Sequence, residues 1–248
     1  MKKIKAILKK LFRFFLKFAL CFFAISIVSV IFFRWVPIPF TPLMLSRLAE
    51  QKINGRDFKL KKDWEPLEDI SLNMQKAVVG SEDQLFLEHW GFDVKAIEKA
   101  MNNNKKKKRR IKGASTISQQ TAKNLFLWQS RNWVRKGLEV YFTGLIELFW
   151  SKERILEVYL NIIEMGDGIY GAEAASQAYF KKPAKNLTPS QAALIAAILP
   201  NPRKYSAVNP SGYVQGRQKW VLRQMNNIGP LDFEKEEEKE KPKRKKRV

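Results

Sequence analysis

Apolar and polar positions divide the chain into stretches of different periodicity. Residues 18–33 pass without a single charge. That run is shorter than the ~20 residues a bilayer-spanning helix needs. Lys17 and Arg34 can snorkel, however, and stretch the apolar reach from Phe14 to Val36. The pattern therefore predicts one transmembrane helix over residues 18–36. Beyond it, Pro37, Pro39 and Pro42 stand among apolar residues, which predicts a stiff, extended segment through Leu45 that leaves the bilayer but stays greasy. Asn54-Gly55 is the clearest turn signal that follows.

From Leu72 onward helical spacing dominates. Asp93 reads as the cap of a helix through Ile97 to Met101, and Ser115 as the cap of one through Lys123 to Leu127. Residues 132–150 place Leu138, Phe142, Leu145 and Phe149 at spacings of 4, 3 and 4, one amphipathic stripe. Residues 151–164 and 172–180 read as further helices. Thr188-Pro189-Ser190-Gln191 is a capping box with proline at the first helical position, followed by the apolar residues 192–199 and the stop Pro200-Asn201-Pro202. No alternating strand series and no internal repeat is visible. Residues 37–229 thus read as one mainly α domain, within the size a single core can fill. Residues 230–248, rich in Glu and Lys, read as a disordered charged tail.

Charge fixes an orientation. The 46 Lys and Arg against 24 Asp and Glu leave a formal net charge of +22, with seven positives and no acid in residues 1–17 and seven more in residues 105–112. The basic flank ahead of the apolar run puts residues 1–17 in the cytoplasm and everything after Arg34 across the membrane, with Trp35 as an interfacial anchor. A cleaved signal peptide has the same order of charged and apolar regions, but its small-residue cleavage site is missing, since Arg34-Trp35-Val36-Pro37 follows Phe33. This topology argues against the nucleic-acid partner that so basic a chain would otherwise suggest. Cys21, inside the apolar run, is the only cysteine and His89 the only histidine, which excludes an intrachain disulfide and a Cys/His zinc site. Carboxylates and cations must carry any chemistry.

Three stretches hold them. Residues 81–93 pack four carboxylates and His89 among aromatics. Adjacent Glu82 and Asp83 cannot face the same way on a helix, so one can point inward while the other caps or faces solvent. A carboxylate pushed into an aromatic pocket gains proton affinity and becomes useful as an acid or base, whereas acidic residues near a helix end more commonly cap or face water. His89 reads as a packed, hydrogen-bonded histidine. Residues 113–126 form a glycine turn feeding a hydroxyl-rich helix start, with Ser115, Thr116, Gln119 and Gln120 in its first turns and Lys123 at i+8 from Ser115 on roughly the same face. Two readings stand: an anion site at free backbone amides, or an ordinary capped helix. Arg131, Arg135 and Lys136 then gather before Glu139, which borders the stripe of residues 132–150. Cations on successive helices suit a diphosphate, and Glu139 is either a second active-site carboxylate or half of a surface ion pair with Arg135.

In sequence order, Glu82-Asp83-x-x-Phe86-x-x-His89-x-Gly91-Phe92-Asp93, Gly113-Ala114-Ser115-Thr116-Ile117-Ser118-Gln119-Gln120-x-x-Lys123-Asn124, Arg135-Lys136-x-x-Glu139 and Lys152-x-x-Ile155-Leu156-x-x-Tyr159-Leu160-Asn161 closely resemble the successive motifs of the peptidoglycan glycosyltransferases, family 51. The resemblance covers about residues 36–228 and extends through Tyr179-Phe180-Lys181-Lys182-Pro183-Ala184 to Leu199-Pro200-Asn201-Pro202. The absence of S-x-x-K and K-T-G, the marks of a transpeptidase domain, points to the monofunctional members, found in the Gram-negative inner membrane. Where the family usually has an acid in its fifth motif, this chain has Gln191. The basic run 105–112 is richer than the loop before the second motif requires, and anionic lipid or diphosphate is its natural partner.

The resemblance implies a lysozyme-like, mainly α fold with a small membrane-proximal jaw lobe. It also implies processive polymerisation of lipid II into β-1,4-linked glycan with release of undecaprenyl diphosphate. Glu82 would be the general base on the acceptor hydroxyl. Lys123 and Arg131 would hold the diphosphate, together with the segment containing Ser115, Thr116, Gln119 and Gln120. Glu139, with Arg135 and Lys136, would order the leaving-group side. No cofactor is required, with a divalent cation (Mg or Mn) as an optional aid to the diphosphate. The implied partners are lipid II, the growing glycan chain, the bilayer, and other cell-wall synthesis or division proteins. A lysozyme-like hydrolase shares the fold and the carboxylate, but has no use for a lipid anchor and diphosphate-binding cations.

Overall fold

A computed structural model describes residues 2–106, 115–130 and 132–233. The chain divides into two units, residues 1–37 and 38–248. The first is built on one helix, α1 (Lys2–Phe33). Within it Ile4–Phe33 is the one stretch among the described residues long and apolar enough to cross a membrane. The helix starts well before the expected residue 18, because lysine and arginine are good helix formers and the basic segment simply continues it.

The second unit is mainly α, as the spacing predicts. Its helices are α2 (Pro42–Ile53), α3 (Leu72–Glu82), α4 (Val94–Lys106), α5 (Ile117–Phe126), α6 (Trp133–Phe149), α7 (Lys152–Ile162), α8 (Ala172–Phe180), α9 (Pro189–Ile198) and α10 (Gly212–Asn227). The expected extended segment ends at Thr41 rather than Leu45. Thr41 accepts from the Met44 amide and Pro42 takes the first helical position, where its missing N–H costs nothing.

Helix α9 forms the centre. Every residue from Ala192 to Ile198 is buried, and a helix that is apolar all round must be enclosed all round. Its capping box forms as expected, with Gln191 as the reciprocal partner of Thr188. Helices α3 and α10 pack on α9 and on each other, while α5 packs on α6 and α7. Gly80 sets the α3–α10 approach: a Cβ there would stand 3.2 Å from Gln224 Cβ and 3.3 Å from the Gln224 carbonyl carbon.

Three expectations need correction. The cap of α5 is Thr116, not Ser115, because Thr116 and Gln119 form a reciprocal capping box one residue later. The buried face of α6 runs through Glu139, Phe142, Thr143, Ile146 and Glu147, one position on from the anticipated stripe, so Glu139 lies inside the face instead of bordering it. A small sheet also exists, made of β1 (Lys61–Lys62), β2 (Glu164–Gly166) and β3 (Ile169–Tyr170) in the order β1-β3-β2. β3 runs parallel to β1 and antiparallel to β2. Glu164, expected at a helix end, is therefore in a strand. Gly168 in the β2–β3 turn has φ +69°, and a Cβ there would lie 2.3 Å from the Lys59 carbonyl oxygen, so only glycine lets this turn close on the chain beside β1.

Candidate active site

The Ser71 hydroxyl starts α3, and the extended backbone of Asp83 (φ −159°, ψ 79°) stops it directly after Glu82. This turn sends the two adjacent carboxylates apart. Glu82 lines a cleft of about 400 Å3 together with Asp93, Lys95, Lys99, Ser115 and Thr116. Asp83 is buried, accepts from the Ile117 amide at 3.0 Å and pairs with His89 Nε2 at 2.8 Å. It ties the end of α3 to the start of α5, and His89 is the packed, hydrogen-bonded residue anticipated.

Helix α5 delivers the second group of side chains. The Thr116 hydroxyl accepts from the Gln119 amide and donates to the Gly91 carbonyl at 2.7 Å, while Gln119 Oε1 accepts from the Thr116 amide at 3.1 Å. Both residues are buried and their side chains are taken up by this cap. Ser115 stays exposed at the cleft. Behind it the Ser118 hydroxyl donates to buried Glu147, which Lys152 also holds at 2.9 Å, so the first turn of α5 is braced from α6 and α7.

One turn on, Gln120 Nε2 donates to Glu82 Oε2 at 3.0 Å, and Gln120 Oε1 accepts from the Tyr159 hydroxyl at 3.4 Å. Burial first, and then the charges of Glu82 and Asp83, push the Tyr159 phenol well above its ordinary range, so it remains an O–H donor. The amide of Gln120 is thereby oriented with its nitrogen toward Glu82. Polar groups, not aromatic rings, hold this carboxylate.

Lys123 is half-buried. Burial pushes its ammonium below the ordinary lysine value; Glu139 opposes that shift, Arg135 and Lys136 reinforce it, and Glu82 opposes it. One cation thus lies in the fields of both proposed carboxylates. Glu139 itself is only 3% exposed and is held by Arg135 at 2.6 Å and by Lys136. The structure therefore brings Glu82, Gln120, Lys123, Arg135, Lys136 and Glu139 into one electrostatic neighbourhood. Arg131 lies outside the described residues, as does most of the basic run 105–112 and the tail from residue 234 onward.

With both Glu139 oxygens taken by cations, and no three His, Cys, Asp or Glu side chains converging among the described residues, the donor set does not fit a protein-held divalent ion.

Sequence reasoning missed Arg217 on α10. Its guanidinium reaches Glu82 Oε1 at 3.5 Å and stacks 5.5 Å over the Trp220 ring. It is 135 positions from Glu82 and outside every motif quoted above. Only the i, i+3 pairing of Arg217 with Trp220 hints at an ordered side chain.

The profile of the transglycosylase family matches residues 49–226. A biosynthetic peptidoglycan transglycosylase of Bdellovibrio bacteriovorus is 58% identical over 215 residues, covering 86% of this chain and 84% of the relative. Relatives of the same description from Pseudomonas putida (54% over 210 residues; 85% of this chain, 89% of the relative) and Haemophilus influenzae (55% over 211 residues; 84% and 85%) are similar over comparable spans. With most of the α-helical unit inside the matched range and relatives more than half identical over more than four fifths of the chain, the chain belongs to the transglycosylase family, alongside the biosynthetic peptidoglycan transglycosylases.

Proposed function

We propose that this chain is a peptidoglycan glycosyltransferase that polymerises lipid II into linear β-1,4-linked glycan, with Glu82 as the general base. The observation that carries this reading is the placement of Glu82 at the cleft wall, held by Gln120, with Lys123 in the fields of both Glu82 and Glu139. Glu82 takes the proton from the 4-hydroxyl of the acceptor GlcNAc. The freed oxygen attacks C1 of the donor MurNAc from the face opposite its diphosphate, the C1–O bond breaks, and undecaprenyl diphosphate leaves with the electron pair. An α-linked donor thus becomes a β-1,4 bond. The leaving group is already an anion and needs no proton if cations meet it. Lys123, Arg131, Arg135 and Lys136 fill that role, with Glu139 holding Arg135 and Lys136 in place. Ser115 and Gln120 face the reacting groups, whereas Thr116 and Gln119 act by shaping the turn that presents them.

We further read the catalytic unit as lysozyme-like with a small jaw lobe, lying outside the cytoplasmic membrane with residues 1–17 inside. The positive flank of α1 supports this orientation. In the direct test, full-length protein in detergent converts lipid II into glycan strands, and Glu82→Gln abolishes polymer while melting at the wild-type temperature. Polymerisation by Glu82→Gln would remove the base. Release of reducing ends from finished peptidoglycan, with no polymer from lipid II, would favour a hydrolase.

A further inference from the structure

Glu82 is the last residue of α3, so its negative charge sits at the negative end of the helix dipole, an unfavourable place for a carboxylate unless a cation faces it. Lys123 lies in its field, but no hydrogen bond joins the two among those described. Among the described residues the cation in direct contact with it is Arg217, on α10. The two carboxylate oxygens are held unequally. Among the described residues, Oε2 accepts a 3.0 Å hydrogen bond from Gln120, whereas Oε1 has the longer 3.5 Å contact with Arg217 and a 3.3 Å contact with the Ser81 hydroxyl.

Arg217 is itself held in place. Its guanidinium lies 5.5 Å from the Trp220 ring centre, the close approach at Gly80 packs α10 against α3, and a 3.0 Å Gln84–Gln224 hydrogen bond ties α10 to the turn after α3. Among the described residues its Nε is buried without a hydrogen-bond partner. An arginine kept beside a carboxylate at the edge of hydrogen-bonding distance holds it by charge while leaving its lone pairs open.

We infer that Arg217 is a positioning residue for the base: with Gln120 it fixes the plane of the Glu82 carboxylate, so that Oε1 is the oxygen that receives the acceptor proton. This rests on Glu82 being the base. Oε2, engaged by Gln120, orients; Oε1, loosely held, reacts. When the proton arrives on Oε1 the contact to Arg217 weakens, and when Oε1 releases it to solvent the contact re-forms, returning the carboxylate to the same orientation for the next sugar.

The test uses full-length protein in detergent with lipid II, comparing wild type, Arg217→Gln, Arg217→Lys and Glu82→Gln for kcat, KM and melting temperature, with and without added guanidinium. In Arg217→Gln we expect kcat to fall about 10- to 100-fold with KM for lipid II within about twofold, because geometry at the reacting atom is lost and substrate binding is not. Arg217→Lys should recover part of the loss, and guanidinium should raise the rate of Arg217→Gln but not of Glu82→Gln. Unchanged kcat in Arg217→Gln beside an inactive Glu82→Gln overturns the role of Arg217 alone. A rise in KM at constant kcat overturns it too, by placing Arg217 on the substrate. If Arg217→Gln melts early, the Lys variant and the guanidinium response decide: no recovery by either overturns the inference. An active Glu82→Gln overturns the base and this inference together.

Discussion

At the residue scale the site separates groups that carry charge for the reaction from groups that carry it for the fold. On the function proposed above, Lys123 belongs to the first kind. Burial works against its charged form, and its neighbours Arg135 and Lys136 repel it. Glu139 keeps two other cations when Lys123 is removed. Lys123→Met should therefore lower polymerisation by about 100-fold, the scale of losing one oriented charge on a leaving group. Its melting temperature should stay level or rise by a few degrees, since a desolvated ammonium costs stability. A large drop in melting temperature would show that Lys123 holds the fold. Asp83 belongs to the second kind. Asp83→Ala leaves the Ile117 amide and His89 without their buried acceptor, a loss of about 3 kcal/mol. In a chain of this size that lowers the melting point by roughly 10 °C. Calorimetry separates the neighbours: Glu82→Gln should melt like wild type and Asp83→Ala should not.

At the element scale the role inferred for Arg217 depends on the distance between α3 and α10. Gly80→Ala inserts a methyl group against the Gln224 backbone, so a whole helix, not a side chain, must move by a few tenths of an ångström. Overpacking costs about 1 kcal/mol or more, while alanine is better than glycine in a helix by about 1 kcal/mol. The two nearly cancel. Activity has no such compensation, because the shift draws Arg217 away from Glu82. We expect near-wild-type melting with a several-fold lower kcat, and an unchanged kcat would show that the site tolerates a wider helix spacing. The same elements show what was legible in the sequence. Helix α9 announces itself with a capping box, N1 proline and Pro200 stop, and α8 keeps its expected bounds. Glu82, Lys123 and Glu139 are legible as candidates because each lies within a motif. The sheet was not, since strands of two and three residues are too short to show alternation. The buried face of α6 was misplaced by one position because its centre is two carboxylates, Glu139 and Glu147, satisfied by cations that periodicity cannot count. Arg217 was invisible because its importance comes from a contact across 135 residues.

At the scale of the whole molecule the question is what α1 adds to a catalytic unit with its own core. Residues 38–248 form a compact unit around α9, so a chain beginning at Ile38 should fold. In detergent, where enzyme and lipid II share micelles, it should polymerise at close to the full-length rate at saturating substrate. In vesicles the substrate is confined to a surface, and a spanning helix turns a three-dimensional search into one with a high effective concentration. Tethering of this kind is worth about 100-fold or more without any new contact. We therefore expect the shortened chain to lose about that factor on vesicle-embedded lipid II, measured as glycan formed per unit time, and to regain it when any unrelated single-span helix is fused ahead of Ile38. Recovery with an unrelated span would assign α1 the role of a tether. Equal rates for the full and shortened chains on vesicles would instead mean that the exposed Phe40, Leu45 and Ile53 of the catalytic unit suffice to hold it at the bilayer.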